Sequence, residues 1–121
     1  IIGRLREEIP DIALRTTLIA GFPGETEADH QEVLQFVKDM HFDRLGVFTY
    51  SEEEGTPAAQ MPDQIDESVK ESRRDALMMA QQAIAFDKSE EMVGKTVDVL
   101  IVLTEMHLMW MVTFLFMLKK I

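Results

Sequence analysis

The sequence contains no cysteine. This absence excludes disulfides, thiolate nucleophiles, zinc–thiolate sites and cysteine-ligated iron–sulfur clusters from anything that the chain builds alone. A protein without disulfides is compatible with the reducing cytosol, and we expect a cytoplasmic location.

Basic residues are also scarce. Lys and Arg number 12 against 22 Asp and Glu, which leaves a net charge of -10. Because non-specific nucleic-acid affinity comes mainly from clustered Lys and Arg, we expect no direct nucleic-acid binding. The three histidines, His30, His41 and His107, show no ligand spacing. We therefore expect them at the surface or in the tail, and we expect no metal site.

The hydrophobic periodicity predicts alternating helices and strands. Residues 1–9 have one apolar helical face before Pro10, and the missing initiator Met leads us to expect a fragment that starts inside a helix. Residues 14–20 and 44–51 have strand character, and between them a helix begins at Thr26 with Asp29 in a capping box. This unit predicts a parallel sheet. A long helix over residues 65–92 follows, then Gly94 as its terminator and a strand over residues 95–102.

The first strand has two different faces. One is largely apolar, with Leu14, Thr16, Leu18 and Ala20, whereas the other carries Arg15, Thr17 and Ile19. A strand of a parallel (βα) barrel, covered by helices outside and lining a polar site inside, would show this mixture. The expected fold is therefore α/β and a partial barrel, and two strands of an open barrel predict marginal stability in isolation.

The tail has a different composition. Residues 99–118 are almost continuously apolar, and four of the nine methionines lie in residues 106–117. The length would suit a bilayer-spanning helix, although Glu105 would be costly in hydrocarbon. Three interpretations stay open: a non-native or frameshifted tail, a packed strand and helix, and a membrane anchor. We expect no membrane association.

Two motifs follow the predicted strands. Residues 21–26 read Gly-Phe-Pro-Gly-Glu-Thr, and we call this segment the glycine turn. Its glycines would let a ligand approach the backbone, and the N–H groups of the following helix would face that ligand. The alternative is an ordinary βα turn. Tyr50 and Ser51 follow the second strand at the same end of the barrel and could contact a ligand, whereas Glu52, Glu53 and Glu54 fit a solvated loop.

Together the two motifs are much more specific than either alone. The chain reads Arg-Thr-Thr-Leu-Ile-Ala-Gly-Phe-Pro-Gly-Glu-Thr over residues 15–26 and Asp-Arg-Leu-Gly-Val-Phe-Thr-Tyr-Ser-Glu-Glu-Glu-Gly-Thr-Pro-Ala over residues 43–58. This order closely resembles the radical S-adenosylmethionine (SAM) methylthiotransferases over roughly residues 1–102. Glu54 stands where the tRNA-modifying MiaB branch usually has Arg, which favours the RimO branch. Further matches are Arg73, Met78, Met79, Gln81, Gln82, Gly94 and Lys95.

The resemblance implies a cofactor-dependent enzyme. Family members use SAM and two 4Fe–4S clusters, and RimO enzymes add a methylthio group to the β-carbon of an aspartate in a small-subunit ribosomal protein. The cluster cysteines are absent here, so we expect a piece that is inactive alone and that needs the N-terminal part of the same enzyme. By resemblance, the SAM site would comprise Arg15, Thr17, Ile19, Gly21, Gly24, Phe48 and Tyr50. None of these residues is expected to be catalytic.

The same resemblance divides the chain. Residues 1–93 would be the end of the radical SAM barrel, with its last two strands and their helices. Residues 94–103 would start a TRAM-like strand, and residues 104–121 would be the atypical tail. The alternatives are a MiaB-like fragment, a non-catalytic membrane-tethered interaction module, and another barrel enzyme with Glu25 or Glu54 as a base.

Overall fold

The computed structural model describes residues 1–98. Its elements are helix α1 (Ile2–Glu8), strand β1 (Arg15–Ala20), helix α2 (Glu27–Met40), strand β2 (Arg44–Thr49), a short 3-10 helix (Ala58–Gln60) and helix α3 (Glu67–Glu91). The predicted α/β class and the order of the α-helices and strands are confirmed, whereas the short 3-10 helix lies in a segment for which no element was predicted.

The two strands form a parallel sheet. Arg15 pairs with Arg44 at one end of the register and Ala20 pairs with Thr49 at the other. Helix α2 makes the connection between them, as a parallel pair requires a crossover. The strand–helix–strand unit predicted from the sequence is therefore present.

Both long helices cover the same face of this sheet. The core is one cluster whose best-buried members are Val37 on α2, Leu77 on α3 and Ala20 on β1. Because side chains alternate along a strand, the residues between the buried ones point to the opposite face. That face has no cover from the described residues, and Ile19 and Phe48 are 61% and 64% exposed on it.

Helix α2 begins and ends through local interactions. The Thr26 hydroxyl accepts the Asp29 N–H at 3.2 Å, and the Asp29 carboxylate accepts the Thr26 N–H at 2.8 Å. This is the predicted capping box. At the other end His41 adopts a left-handed conformation with φ 45°. The Arg6 guanidinium of α1 donates to the last carbonyls of α2, including that of His41 at 3.0 Å, which suits the negative end of a helix dipole.

Helix α3 is attached to the amino ends of the strands. The Gln81 side-chain amide donates to the Phe42 carbonyl at 2.8 Å, and the Lys88 ammonium donates to Asp43 at 2.7 Å. Asp43 also accepts the Leu14 N–H at 2.7 Å. These bonds join the chain just before β1, the chain just before β2, and the last turns of α3.

The prediction of surface positions for the histidines was wrong for His30, which is only 5% exposed. His30 lies on α2 beside the α3 residues Ser68, Ser72 and Arg73. The burial of His30 depends on the packing of α3 against α2. The residues next to it in the sequence are mostly polar, so they did not indicate that His30 would be buried. His41 is exposed, as predicted, and His107 lies outside the described residues.

The end of the chain is described only in part. Helix α3 ends at Glu91, and Gly94 follows with φ +81°. Residues 95–98 have no regular secondary structure, whereas the rest of the predicted exit strand and the tail lie outside the described residues. Within residues 1–98, no helix is both long enough and apolar enough to span a membrane.

Candidate functional site

The two sequence motifs meet at the carboxyl ends of the strands. The Tyr50 N–H donates to the Ala20 carbonyl at 2.8 Å, which extends the ladder by one residue beyond β2. The glycine turn begins at the next residue, Gly21. The loop after β1 and the loop after β2 are therefore neighbours, as the parallel arrangement predicts.

The uncovered face of the sheet brings together four of the predicted site residues. Ile19 and Phe48 are direct cross-strand partners one residue before the strand ends. Thr17 and Arg15 share this face, but Arg15 starts the strand, about 13 Å from Ile19 at the usual rise per residue. The face thus has an apolar end beside the loops and a cationic end, with Arg15 and Arg44 paired, away from them.

A tight turn forms the middle of the glycine turn. The Glu25 N–H donates to the Phe22 carbonyl at 2.9 Å, and Gly24 has φ +82°. Proline at the second position and a positive φ at the third are the features of a type II turn, so Pro23 and Gly24 have a local reason to be there. The Gly24 N–H donates to the Asp63 carbonyl at 3.0 Å, which ties the turn to the loop before α3.

Gly21 serves the packing of α3. It has φ +77°, and a Cβ built at this position would lie 2.3 Å from Cγ of Lys70. Its N–H donates to the Glu25 carboxylate at 3.1 Å. The missing side chain therefore makes room for Lys70, and the N–H group already has an acceptor.

Glu25 forms a buried ion pair with α3. Its carboxylate accepts from the Arg73 guanidinium at 2.8 Å, and the same nitrogen of Arg73 donates to the Glu25 carbonyl at 2.9 Å. The two side chains are 16% and 9% exposed. With one oxygen bound to Arg73 and the other to Gly21, Glu25 is arranged as a structural clip. This argues against a general base, which would need an oxygen free to accept a proton. Glu54 is exposed on its loop.

Lys70, Tyr50 and Phe22 form a second cluster at this edge. The Lys70 ammonium donates to the Tyr50 carbonyl at 3.1 Å and lies 5.4 Å from the centre of the Tyr50 ring. The Phe22 and Tyr50 rings meet edge to face, with centroids 5.3 Å apart. The Tyr50 hydroxyl is buried and has no hydrogen-bond partner among the described residues.

The start of α2 carries ionised carboxylates. Hydrogen bonds from the Thr26 hydroxyl and N–H lower the pKa of Asp29. A hydrogen bond from the Gln31 amide is the main cause that lowers the pKa of Glu27, and the Arg73 charge adds to it. The capping box thus gives the N–H groups of Thr26 and Asp29 an acceptor within the chain, and two carboxylates lie at this end of α2.

The side chains present at the candidate site determine which cofactors could bind there. The uncovered face offers an exposed apolar pair beside polar groups, which suits a flat ring with a polar extension such as SAM. A cysteine-ligated cluster does not fit, because the sequence holds no cysteine. Among the described residues, no three His, Asp or Glu side chains are grouped so as to bind a metal ion.

A groove among the described residues lies elsewhere. It has a volume of about 580 Å³ and runs between the amino end of β2 and α3, beside Asp43, Met78 and Gln82. It is far from both loops, at the opposite end of the strands, and it contains none of the predicted site residues. We therefore place the candidate site on the uncovered face and not in this groove.

Sequence reasoning missed Lys70 entirely and missed the clip formed by Glu25. One signal was available: the buried positions of α3 form a single helical stripe, Lys70, Arg73, Leu77, Gln81 and Ile84. Two charged residues on the same helical stripe as Leu77 and Ile84 indicate buried partners, since unpaired charges are rarely buried. The identity of those partners depended on the fold.

No protein-family model matches the chain. Curated proteins named "Ribosomal protein uS12 methylthiotransferase RimO" do match it. The protein from Lachnoclostridium phytofermentans is 60% identical over 101 residues, and those from Desulfitobacterium hafniense and Geobacter sulfurreducens are each 55% identical over the same length. Each match covers 84% of this chain but only 23% of the relative. The chain thus spans about a quarter of the length of these relatives. Over the matched residues, it is homologous to a segment of the RimO methylthiotransferase family.

Proposed function

We propose that this chain is part of a RimO-type methylthiotransferase and contributes one side of its SAM site. One observation supports this most strongly: the chain matches RimO proteins at 52–60% identity over 101 residues. The two motifs that gave the resemblance also lie side by side at the carboxyl ends of parallel strands, where α/β enzymes bind their ligands.

The proposed SAM site lies on the uncovered face and its loop edge. Ile19 and Phe48 would contact the adenine ring and exclude water from it, since both are apolar, paired and largely exposed. Thr17 and Arg15 would meet polar groups further along the face. Gly21, Gly24 and Tyr50 would shape the edge, with Gly21 acting through its backbone position because its N–H is already bonded.

The radical chemistry belongs to the cofactors. SAM and the iron–sulfur clusters would supply the radical, the sulfur and the methyl group, and the protein would position them. The residues of this chain would bind and orient SAM without transferring a proton or an electron. The substrate would be an aspartate side chain of ribosomal protein uS12, the protein that the relatives' names give.

We propose that the chain is inactive by itself. It has no cysteine to bind a cluster, and within residues 1–98 its two-stranded sheet has one uncovered face and two unpaired edges. The partner would be the N-terminal part of the same enzyme, whose strands would complete a parallel barrel. Residues 1–93 would be the end of that barrel, residues 94–103 the start of a TRAM-like strand, and residues 104–121 a tail foreign to the family pattern. The complete enzyme would act in the cytoplasm, without direct nucleic-acid or membrane binding.

A chimeric enzyme tests the proposal. The aligned segment of the L. phytofermentans relative would be replaced by the 101 matched residues of this chain, and the product would be purified and reconstituted with iron and sulfide. Methylthiolation of uS12 would be followed by mass spectrometry, and SAM binding would be measured by equilibrium dialysis. We expect SAM binding and a mass increase of one methylthio group on uS12.

A matched pair of variants distinguishes an effect at the proposed SAM site from the general effect of removing an exposed phenylalanine. Phe48 is 64% exposed on the uncovered face, and Phe86 is 63% exposed on α3. F48S should weaken SAM binding about tenfold, the effect of losing a buried aromatic contact, whereas F86S should leave it unchanged. Equal effects of the two variants, or modification of tRNA in place of uS12, would contradict the proposal.

A further inference from the structure

Two residues of helix α3, one helical turn apart, contact the glycine turn. Arg73 bonds both the side chain and the carbonyl of Glu25, and Lys70 fills the space beside Gly21. Both cations are buried, at 8% and 7% exposed. These two residues take no part in the uncovered face where SAM is proposed to bind.

The path from Arg73 to the turn is a chain of direct bonds. The Arg73 guanidinium donates to one oxygen of Glu25 at 2.8 Å, and the other oxygen accepts the Gly21 N–H at 3.1 Å. The carboxylate therefore spans the turn from its last part to its first. Since Arg73 also donates to the Glu25 carbonyl, it fixes both the backbone and the side chain of this residue.

Lys70 connects α3 both to the glycine turn and to the loop that follows β2. Its stem packs on Gly21, and its ammonium donates to the Tyr50 carbonyl at 3.1 Å and to the Glu67 carboxylate at 3.2 Å. Tyr50 in turn donates its N–H to Ala20. One turn of α3 thus sets the relative position of the two loops that border the candidate site.

A buried ion pair often contributes little net stability to the folded state. The desolvation of two charges often cancels their attraction, and apolar residues of similar size serve as well or better. What such a pair provides is a defined geometry, because its bonds have fixed lengths and directions. The bonds here end on the backbone of the turn, which favours a role in geometry.

We propose that Arg73 and Lys70 are positioning residues that hold the glycine turn and Tyr50 in the conformation that receives SAM. Arg73 acts through Glu25, and Lys70 acts through Gly21 and the Tyr50 carbonyl. The inference rests on the proposed function for the identity of the ligand. The mechanical link from α3 to the turn does not depend on that identity.

Hydrogen–deuterium exchange of the complete 121-residue chain tests the link. Peptides that cover residues 21–25 report the turn amides, and peptides from α2 report general stability. R73M should accelerate exchange of the turn amides about tenfold or more, because a charge-assisted bond is lost, and should leave α2 unchanged. R74M is the matched control, since Arg74 is adjacent, partly exposed and paired only with Asp75 among the described residues.

Three further variants test whether Arg73 acts through Glu25. E25Q leaves the Arg73 bond to the Glu25 carbonyl in place. If Arg73 acts through Glu25, the double variant R73M/E25Q should therefore exchange faster than E25Q, but by less than the two single effects combined. R73K keeps the charge but not the fork of donors, so it should give intermediate protection. If circular dichroism shows that R73M is unfolded, R73K and E25Q carry the same comparison. Acceleration throughout α2, or equal effects of R73M and R74M, would overturn the proposal.

The chimeric enzyme separates this inference from the proposed function. If it binds SAM, R73M should raise the dissociation constant for SAM about tenfold, as the loss of a preorganised loop predicts. An unchanged constant would overturn the positioning role and leave the proposed function standing. A chimera that binds no SAM would instead refute the proposed function, and the exchange data would then decide the link on their own.

Discussion

The two glycines of the turn allow a quantitative test of why each is there. Gly21 and Gly24 both have φ near +80°, at +77° and +82°. An alanine in this region costs about 1–2 kcal/mol in backbone conformation at either position. The surroundings differ, because no atom of the described residues lies within 4 Å of a Cβ at Gly24, whereas a Cβ at Gly21 would lie 2.3 Å from Lys70 Cγ and 2.9 Å from its Cβ.

The additional cost at Gly21 comes from moving Lys70. The overlapping atoms are at the root of this side chain, so a simple rotation of its far end does not relieve the contact, and α3 or the turn must shift. Overpacking of this kind typically costs about 1–3 kcal/mol. We therefore expect G24A to lower the free energy of unfolding by about 1–2 kcal/mol and G21A by about 2–5 kcal/mol.

The assay is urea denaturation followed by circular dichroism at the helical band, with a fixed concentration of a stabilising osmolyte because the sheet is incomplete. K70A removes the closest atom, so the cost of G21A should be smaller in the K70A background than in the wild type. If G24A were as destabilising as G21A, or if K70A gave no relief, the explanation of Gly21 by Lys70 would be wrong.

Three other changes test the packing and the electrostatics. L77A should lower the unfolding free energy by about 2–5 kcal/mol in the same urea assay, because Leu77 is 2% exposed in the core; a cost below that of G24A would contradict its central place. Burial raises the pKa of Asp43, but the Lys88 bond, the Leu14 N–H and the Lys88 and Arg6 charges outweigh it, so its pKa lies below the ordinary 3.8. The stability that Asp43 provides is therefore complete above pH 3.8 and disappears as the pH falls through the lowered pKa. The melting temperature of D43N, measured against pH, should lack the decrease that the wild type shows over this acid range. The same pH profile for D43N and the wild type would refute the role of Asp43. T26A should cost about 1 kcal/mol through loss of the helix cap, and peptides from the first turns of α2 should exchange faster while those of α3 stay protected.

Local signals in the sequence were enough for the elements. Pro10, the capping box at Thr26, the β-branched run before Gly21 and the long amphipathic stretch each act within a few residues, so their structural effect can be derived without the fold. The parallel pairing followed from the strand–helix–strand order alone. The alternation of side chains along β1 also separated Ile19 and Thr17 from the core face, because neighbouring residues of a strand point to opposite sides.

The tertiary structure decided which polar residues are buried and what they bind. His30, Lys70 and Arg73 are ordinary surface types in the sequence, and they are buried because α3 packs across α2 and the strand ends. The same packing gave Glu25 a partner 48 residues away and changed it from a candidate base into a clip. Such contacts depend on the relative placement of distant segments, which local pattern and composition do not encode, whereas the elements themselves depend on short-range sterics and hydrogen bonding that the sequence determines directly.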